Sequence, residues 1–201
     1  VRGKSRLQLE PELRRRLALT MALDTVTAAA ITPGVAEVLV VIEDPADGDA
    51  LARVPGVRIR MTRAAGLNAA IGDGLGARDG RSGGQIAVLP GDLPSLTAAE
   101  LSAALAAARP HRLTVVADRQ GTGTTLLTAS AGAWLRPQYG PDSLRRHVAD
   151  GALPLELPVD SGLRRDVDQV ADLHGVTGPR TLALLAEAGW SPPLCGARPG
   201  A

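Results

Sequence analysis

The sequence holds no phenylalanine, one tyrosine and two tryptophans, so it offers no aromatic platform on which single-stranded bases could stack. Its formal net charge is only +1, so no broad basic surface exists to track a phosphate backbone. Together these argue against a nucleic-acid partner and for a small one. Cysteine is equally scarce. The single one, Cys195, sits in a Pro/Gly-rich stretch, which rules out an intrachain disulfide and a cysteine-rich zinc site and accords with a reducing compartment. No apolar run reaches the length of a membrane span, and the first residues lack the uninterrupted apolar core of a secretory leader. The expected setting is therefore cytoplasmic, without a membrane partner. The three histidines, His111, His147 and His174, share no metal-ligand spacing and have no nucleophile to serve, so the sequence assigns them no role. No Walker loop occurs.

What is present suffices for one sizeable core. With 201 residues, 45% of them hydrophobic, the chain is expected to form a single domain over 1–188, followed by a flexible Pro/Gly-rich tail over 189–201. A basic opening, from Val1 to Leu7, leads into a helix near Pro11, a residue suited to the first turn. Leu13, Leu17 and Met21 give that helix an apolar stripe, and Arg14, Arg15 and Arg16 read as its solvated side. Apolar runs at Val38–Ile42, 86–89 and Leu113–Ala117 read as buried strands, with a weaker alternating strand at Val57–Met61. Helical stretches are expected near 49–53, after Gly66, between Thr97 and Pro110, from Ser143 to Val148 and up to Ala188. Further strands are expected at 126–129 and 163–168, and a mobile loop at 77–84. Strands separated by helices imply βαβ units, hence an α/β fold with a mostly parallel sheet and helices on both faces. Oligomeric state is left open, a homo-oligomer included.

The chemistry concentrates after residue 86. The apolar run Ile86, Ala87, Val88, Leu89 stops at Pro90 and Gly91, and Asp92 is the first charge beyond it, at the strand end where open α/β sheets bind ligands. A turn aspartate bonded to its own backbone is the plainer alternative. Thr97 and Glu100 form a capping box for the next helix. Asp166 and Asp168, two apart, share a face if the segment is extended and could grip Mg²⁺ together with Asp92. Otherwise Asp166 pairs with Arg164 or Arg165, and Asp168 caps the following helix. The run Gly121, Thr122, Gly123, Thr124, Thr125 offers small residues, backbone donors and hydroxyls for a carboxylate or phosphate, or forms a simple tight turn. The loop from Tyr139 to Ser143 leads into a helix N-terminus suited to anions, where Ser143 could equally be a cap. Lys4 and Arg6 are basic groups of the type that hold a triphosphate, if they are not a solvated terminus.

The order of these segments resembles the phosphoenolpyruvate or 2-phospholactate guanylyltransferases of deazaflavin coenzyme F(420) biosynthesis. The resemblance is carried by Lys4-Ser5-Arg6-Leu7, Gly66-Leu67-Asn68-Ala69-Ala70, Pro90-Gly91-Asp92-Leu93-Pro94, Gly121-Thr122-Gly123-Thr124, Tyr139-Gly140-Pro141-Asp142-Ser143 and Asp166-Val167-Asp168. It implies a Rossmann-like nucleotidyltransferase (GT-A-like) fold and transfer of GMP from GTP to a three-carbon phosphorylated acid, with release of diphosphate. On that likeness Asp92, Asp166 and Asp168 would hold Mg²⁺, and Thr124, Gly140 and Ser143 the acid. Lys4 and Arg6 would join Asp92 in catalysis and face the GTP phosphates, with Gly66 and Asn68 on the nucleotide side. Rival readings are a relative acting on a sugar phosphate or molybdenum-cofactor precursor, and a catalytically silent nucleotide-binding protein. Two departures stand out. Val1 begins at the basic loop, where the family has an apolar strand first; this leads to the expectation that the chain lacks its true N-terminus and the strand beside the one ending at Asp92. Tyr139 stands where phenylalanine is expected.

Overall fold

A computed structural model describes residues 9–77 and 83–190. Lys4, Arg6, most of the 77–84 loop and the tail from 191 lie outside the described residues. Helix α1 (Pro11–Ala30) opens with proline in its first turn and buries Leu17, Met21, Val26, Ala28 and Ala29. Arg15 and Arg16 lie on its exposed side and pair with Asp44, Asp47 and Glu187, surface contacts that contribute little to stability. Then follow β1 (Val38–Ile42), α2 (Pro45–Leu51), β2 (Val57–Met61), α3 (Leu67–Gly76), β3 (Ile86–Val88) and α4 (Ala98–Ala108). The second half holds β4 (Leu113–Ala117), β5 (Thr124–Ala129), α5 (Ser143–Ala149), β6 (Leu153–Pro154) and α6 (Pro179–Glu187). The expected helical turn near 49–53 begins earlier, because Asp44 caps Ala46 and Pro45 takes the first position.

Two sheets result. β1 and β2 pair in parallel, Val38 opposite Val57; the second sheet runs β3-β5-β4-β6. β4 and β6 are parallel, whereas β5 is antiparallel to both β3 and β4. The reversal has a simple cause. Only the loop between Ala117 and Thr124 joins β4 to β5, too short for the crossover that parallel strands need. β5 also starts two residues before the expected 126, which places Thr124 on a strand.

The predicted strand at 163–168 is replaced by a 3-10 turn at Gly162–Arg164 and an irregular extended stretch. Gly162 packs directly on the Ser95 carbonyl, where a side chain would collide. Glu100, besides completing the capping box with Thr97, accepts from Ser161 Oγ (2.8 Å) and Gly162 N–H (2.7 Å), so one carboxylate anchors both α4 and this turn. Asp24, only 5% exposed on α1, accepts from the N–H groups of Arg180 (3.1 Å) and Thr181 (2.9 Å) and from the Thr181 hydroxyl (2.8 Å). It caps α6 from another helix.

Between β1 and β3 the sheets do not join. Every residue of Val38–Ile42 and of 84–91 lines a cleft of about 1170 Å³, walled by residues of α1 and α3. Side chains alternate across a strand, so consecutive residues can line one space only along a strand edge. The cleft therefore lies edge to edge between the two sheets.

Candidate active site

Asp92 stands just beyond the C-terminal end of β3. Its neighbour Leu93 is fully buried, and the Leu93 N–H donates to Thr25 Oγ1 (3.0 Å), whose hydroxyl donates to the Met21 carbonyl (2.8 Å). The turn is thus clamped to α1. The Val167 N–H donates to the Asp92 carbonyl (3.1 Å), which draws the 166–168 segment to the same place. Val167 packs into the core with Leu17, Met21 and Leu173, while Asp166 and Asp168, on either side of it, are only part-buried. The regular strand on which their shared face was expected does not form.

Electrostatics place these acids together. The Asp166 carboxyl is pushed up from 3.8 to about 7, first by burial and then by the negative charges of Asp92, Asp168 and Asp118. The neighbouring arginines do not relieve it. Arg164 donates to the carbonyls of Ala117, Asp118 and Leu157, and Arg165 to that of His174. The alternative role for Asp168, capping the next helix, falls to Asp172, which accepts from the N–H groups of Asp168 and Gln169. Three carboxylates thus act on Asp166, yet among the described residues no three acids, histidines or cysteines stand in metal-holding geometry.

The glycine–threonine loop is organised from below by Asp118. Its carboxylate accepts from the N–H groups of Thr122 (2.9 Å) and Gly123 (2.8 Å), and any side chain at Gly123 would overlap that carboxylate. Two backbone donors expected for a ligand are therefore engaged internally. Two more are taken at the start of α5, where the Ser143 N–H donates to Gly140 and the Leu144 N–H to Thr122, both at 3.1 Å. What the loops bring together is side chains. Ser143 and His147, one helical turn apart on α5, are each 1% exposed and share a face. His147 Nδ1 lies 3.0 Å from Thr124 Oγ1, and its Nε2 accepts the Gln138 N–H at 2.9 Å. Gly140, at φ +120°, takes the turn between Gln138, which bonds the imidazole, and Ser143, whose N–H donates to the Gly140 carbonyl.

Asn68 braces the same loop. Its amide donates to the Tyr139 carbonyl (3.0 Å) and accepts the Tyr139 N–H (2.7 Å), so the residue that the resemblance puts on the nucleotide side also ties the start of α3 to the Tyr139 loop. The Tyr139 hydroxyl donates to the Val88 carbonyl (3.0 Å), a use for the oxygen that phenylalanine would lack, and burial pushes the phenol's pKa up. Gly66, at φ +89°, begins α3, a conformation that side chains resist.

Residues 6–182 match the MobA-like NTP transferase domain family. A phosphoenolpyruvate guanylyltransferase of Nocardia farcinica is 45% identical, over 94% of this chain and 88% of the relative. The proteins of that name from Geodermatophilus obscurus (44%; 89% and 82%) and Streptomyces coelicolor (42%; 92% and 91%) are similarly close. The chain belongs to the phosphoenolpyruvate guanylyltransferase family. The fold agrees: a chain from Desulfovibrio desulfuricans G20, described as a nucleotide-diphospho-sugar transferase, superposes with a TM-score of 0.71 at 16% identity, over 92% of this chain and 88% of that one.

Two residues that organise the candidate site were given no role by the sequence reading. Asp118 carried a usable signal, being the first charge after an apolar strand, as Asp92 is. His147 carried none, since its partners lie 23 and 9 positions away and meet it only through the packing of α5 on the sheet. Lys4 and Arg6 of the guanylyltransferase pattern lie outside the described residues.

Proposed function

We propose that this chain transfers GMP from GTP to phosphoenolpyruvate, with release of diphosphate, as a step in deazaflavin coenzyme F(420) biosynthesis. The observation that carries the reading is the link between two unlike environments. The Thr124 and Ser143 hydroxyls, with Gly140 at the turn before Ser143, offer donors to an acid, and Asp118 links the Thr124 loop to the carboxylates that act on Asp166.

The reaction needs no protein nucleophile. A phosphate oxygen of the acceptor attacks the α-phosphorus of GTP, a new P–O bond forms, the bond from that phosphorus to the bridging oxygen of the β-phosphate breaks, and diphosphate leaves. The chain's work is to align acceptor and donor and to balance their charge. The carboxylate set, with Asp166 pushed up to about 7 by burial and by its neighbours' charges, offers the hard oxygen donors that a cation such as Mg²⁺ takes. Asp92, Asp166 and Asp168 would hold Mg²⁺, which supplies charge screening on the phosphates when bound. Lys4 and Arg6 take the departing diphosphate in this reading, and Gly66 lies on the nucleotide side. 2-Phospholactate is the alternative acceptor.

The test is diphosphate release from GTP and Mg²⁺ with phosphoenolpyruvate, with 2-phospholactate and with neither. Release that depends on phosphoenolpyruvate is expected. Release without any acid, or none with either acid, would overturn the assignment.

A further inference from the structure

His147 is the most buried titratable group that the proposed reaction does not use. Its hydrogen-bond pattern admits a single reading. The Gln138 N–H is a backbone donor and can only donate, so the ring nitrogen facing it, Nε2, must carry a lone pair. The ring hydrogen then resides on Nδ1, and Nδ1–H points at Thr124 Oγ1, 3.0 Å away. The threonine oxygen is the acceptor of that bond, which leaves the hydroxyl's own hydrogen to donate elsewhere. Four loop and helix N–H groups around the pocket are engaged with protein oxygens, so hydroxyl donors carry more of the burden of holding an acid.

We infer that His147 is a positioning residue of the acid pocket: locked as the Nδ1–H tautomer, it turns the Thr124 hydroxyl into a directed donor for a carboxylate or phosphate oxygen. Through Nε2 it also sets the position of the loop that carries Gly140. The inference rests on the acid-pocket reading above. The surroundings fit a neutral ring. Tyr139 packs edge-on with ring centroids 5.3 Å apart; burial is the main influence that lowers the ring's pKa, Arg146 adds to it and Asp150 opposes it. Protonation would set two donors face to face at Gln138 and release the loop.

The two bonds can be separated. His147→Asn keeps an N–H near the Nδ1 position and loses the acceptor for Gln138, whereas His147→Gln keeps an acceptor near Nε2 and loses the donor to Thr124. His147→Gln should raise the KM for phosphoenolpyruvate about tenfold, the equivalent of one hydrogen bond at 1.4 kcal/mol per tenfold, and leave the KM for GTP unchanged. His147→Asn should restore part of that loss. Thr124→Val should raise the same KM, and the double variant Thr124→Val/His147→Gln should be no worse than Thr124→Val alone, because the histidine acts through the threonine. Additive losses, or an unchanged acid KM in His147→Gln, would overturn the inference. ¹⁵N spectra of the wild-type imidazole must show protonated Nδ1 and unprotonated Nε2 at neutral pH; the opposite tautomer would overturn it even if the variants fail to fold. If the wild-type protein releases no diphosphate with any acid, that result counts against the substrate reading, and the tautomer still decides for His147.

Discussion

Replacing Asp166 with asparagine should stabilise the metal-free protein above neutral pH, contrary to the usual effect of removing a part-buried polar group. The Asp166 carboxyl titrates at about 7 in the folded protein and near 3.8 when unconstrained. Its folded form therefore binds a proton more tightly, and its contribution to stability is complete below pH 4 and is lost as pH rises through 7. At about 1.4 kcal/mol per pH unit, that interval sets a ceiling near 4 kcal/mol. Because the side chain is part-exposed, solvent screening reduces this to about 2 kcal/mol. Chemical denaturation of wild type and Asp166→Asn from pH 5 to 8.5, without divalent cations, should give curves that converge at low pH and separate by about 2 kcal/mol at high pH. For a domain of this size that separation corresponds to roughly 4–8 °C in Tm. Mg²⁺ at pH 8 should raise the wild-type Tm more than the variant's. Parallel curves across the range, with the same response to Mg²⁺, would refute the claim that Asp92, Asp118 and Asp168 act on Asp166.

Asp24→Ala should cost about 3 kcal/mol in urea denaturation, because the buried N–H of Thr181 and its hydroxyl lose their acceptor and α6 loses its cap; a loss under 1 kcal/mol would show that α6 is held by apolar packing alone. Gly140→Val forces a β-branched residue into φ +120°, at a strain of about 1–3 kcal/mol, and should raise the KM for phosphoenolpyruvate at least tenfold; an unchanged KM would place the pocket elsewhere. Asn68→Ala frees the Tyr139 backbone and should raise the acid KM about tenfold in steady-state assays with GTP saturating. Should the GTP KM rise instead, Asn68 serves the nucleoside.

The strands β1, β2 and β4 were legible in sequence because continuous or alternating apolar runs bounded by turn residues carry their own periodicity, and the Thr97–Glu100 capping box because it is a local exchange of hydrogen bonds. Asp92 was legible for the same reason, as the first charge after such a run. What escaped depended on pairs distant along the chain. The turn at Gly162 is anchored by Glu100 on α4, α6 is capped by Asp24 on α1, and the state of Asp166 is set by burial together with the charges of Asp92, Asp168 and Asp118. Asn68 shows the limit most plainly. Its place in a motif could be read from the sequence, but what its amide faces was decided only when Tyr139 packed against it, because hydrogen-bond partners are set by position in space and not by order along the chain.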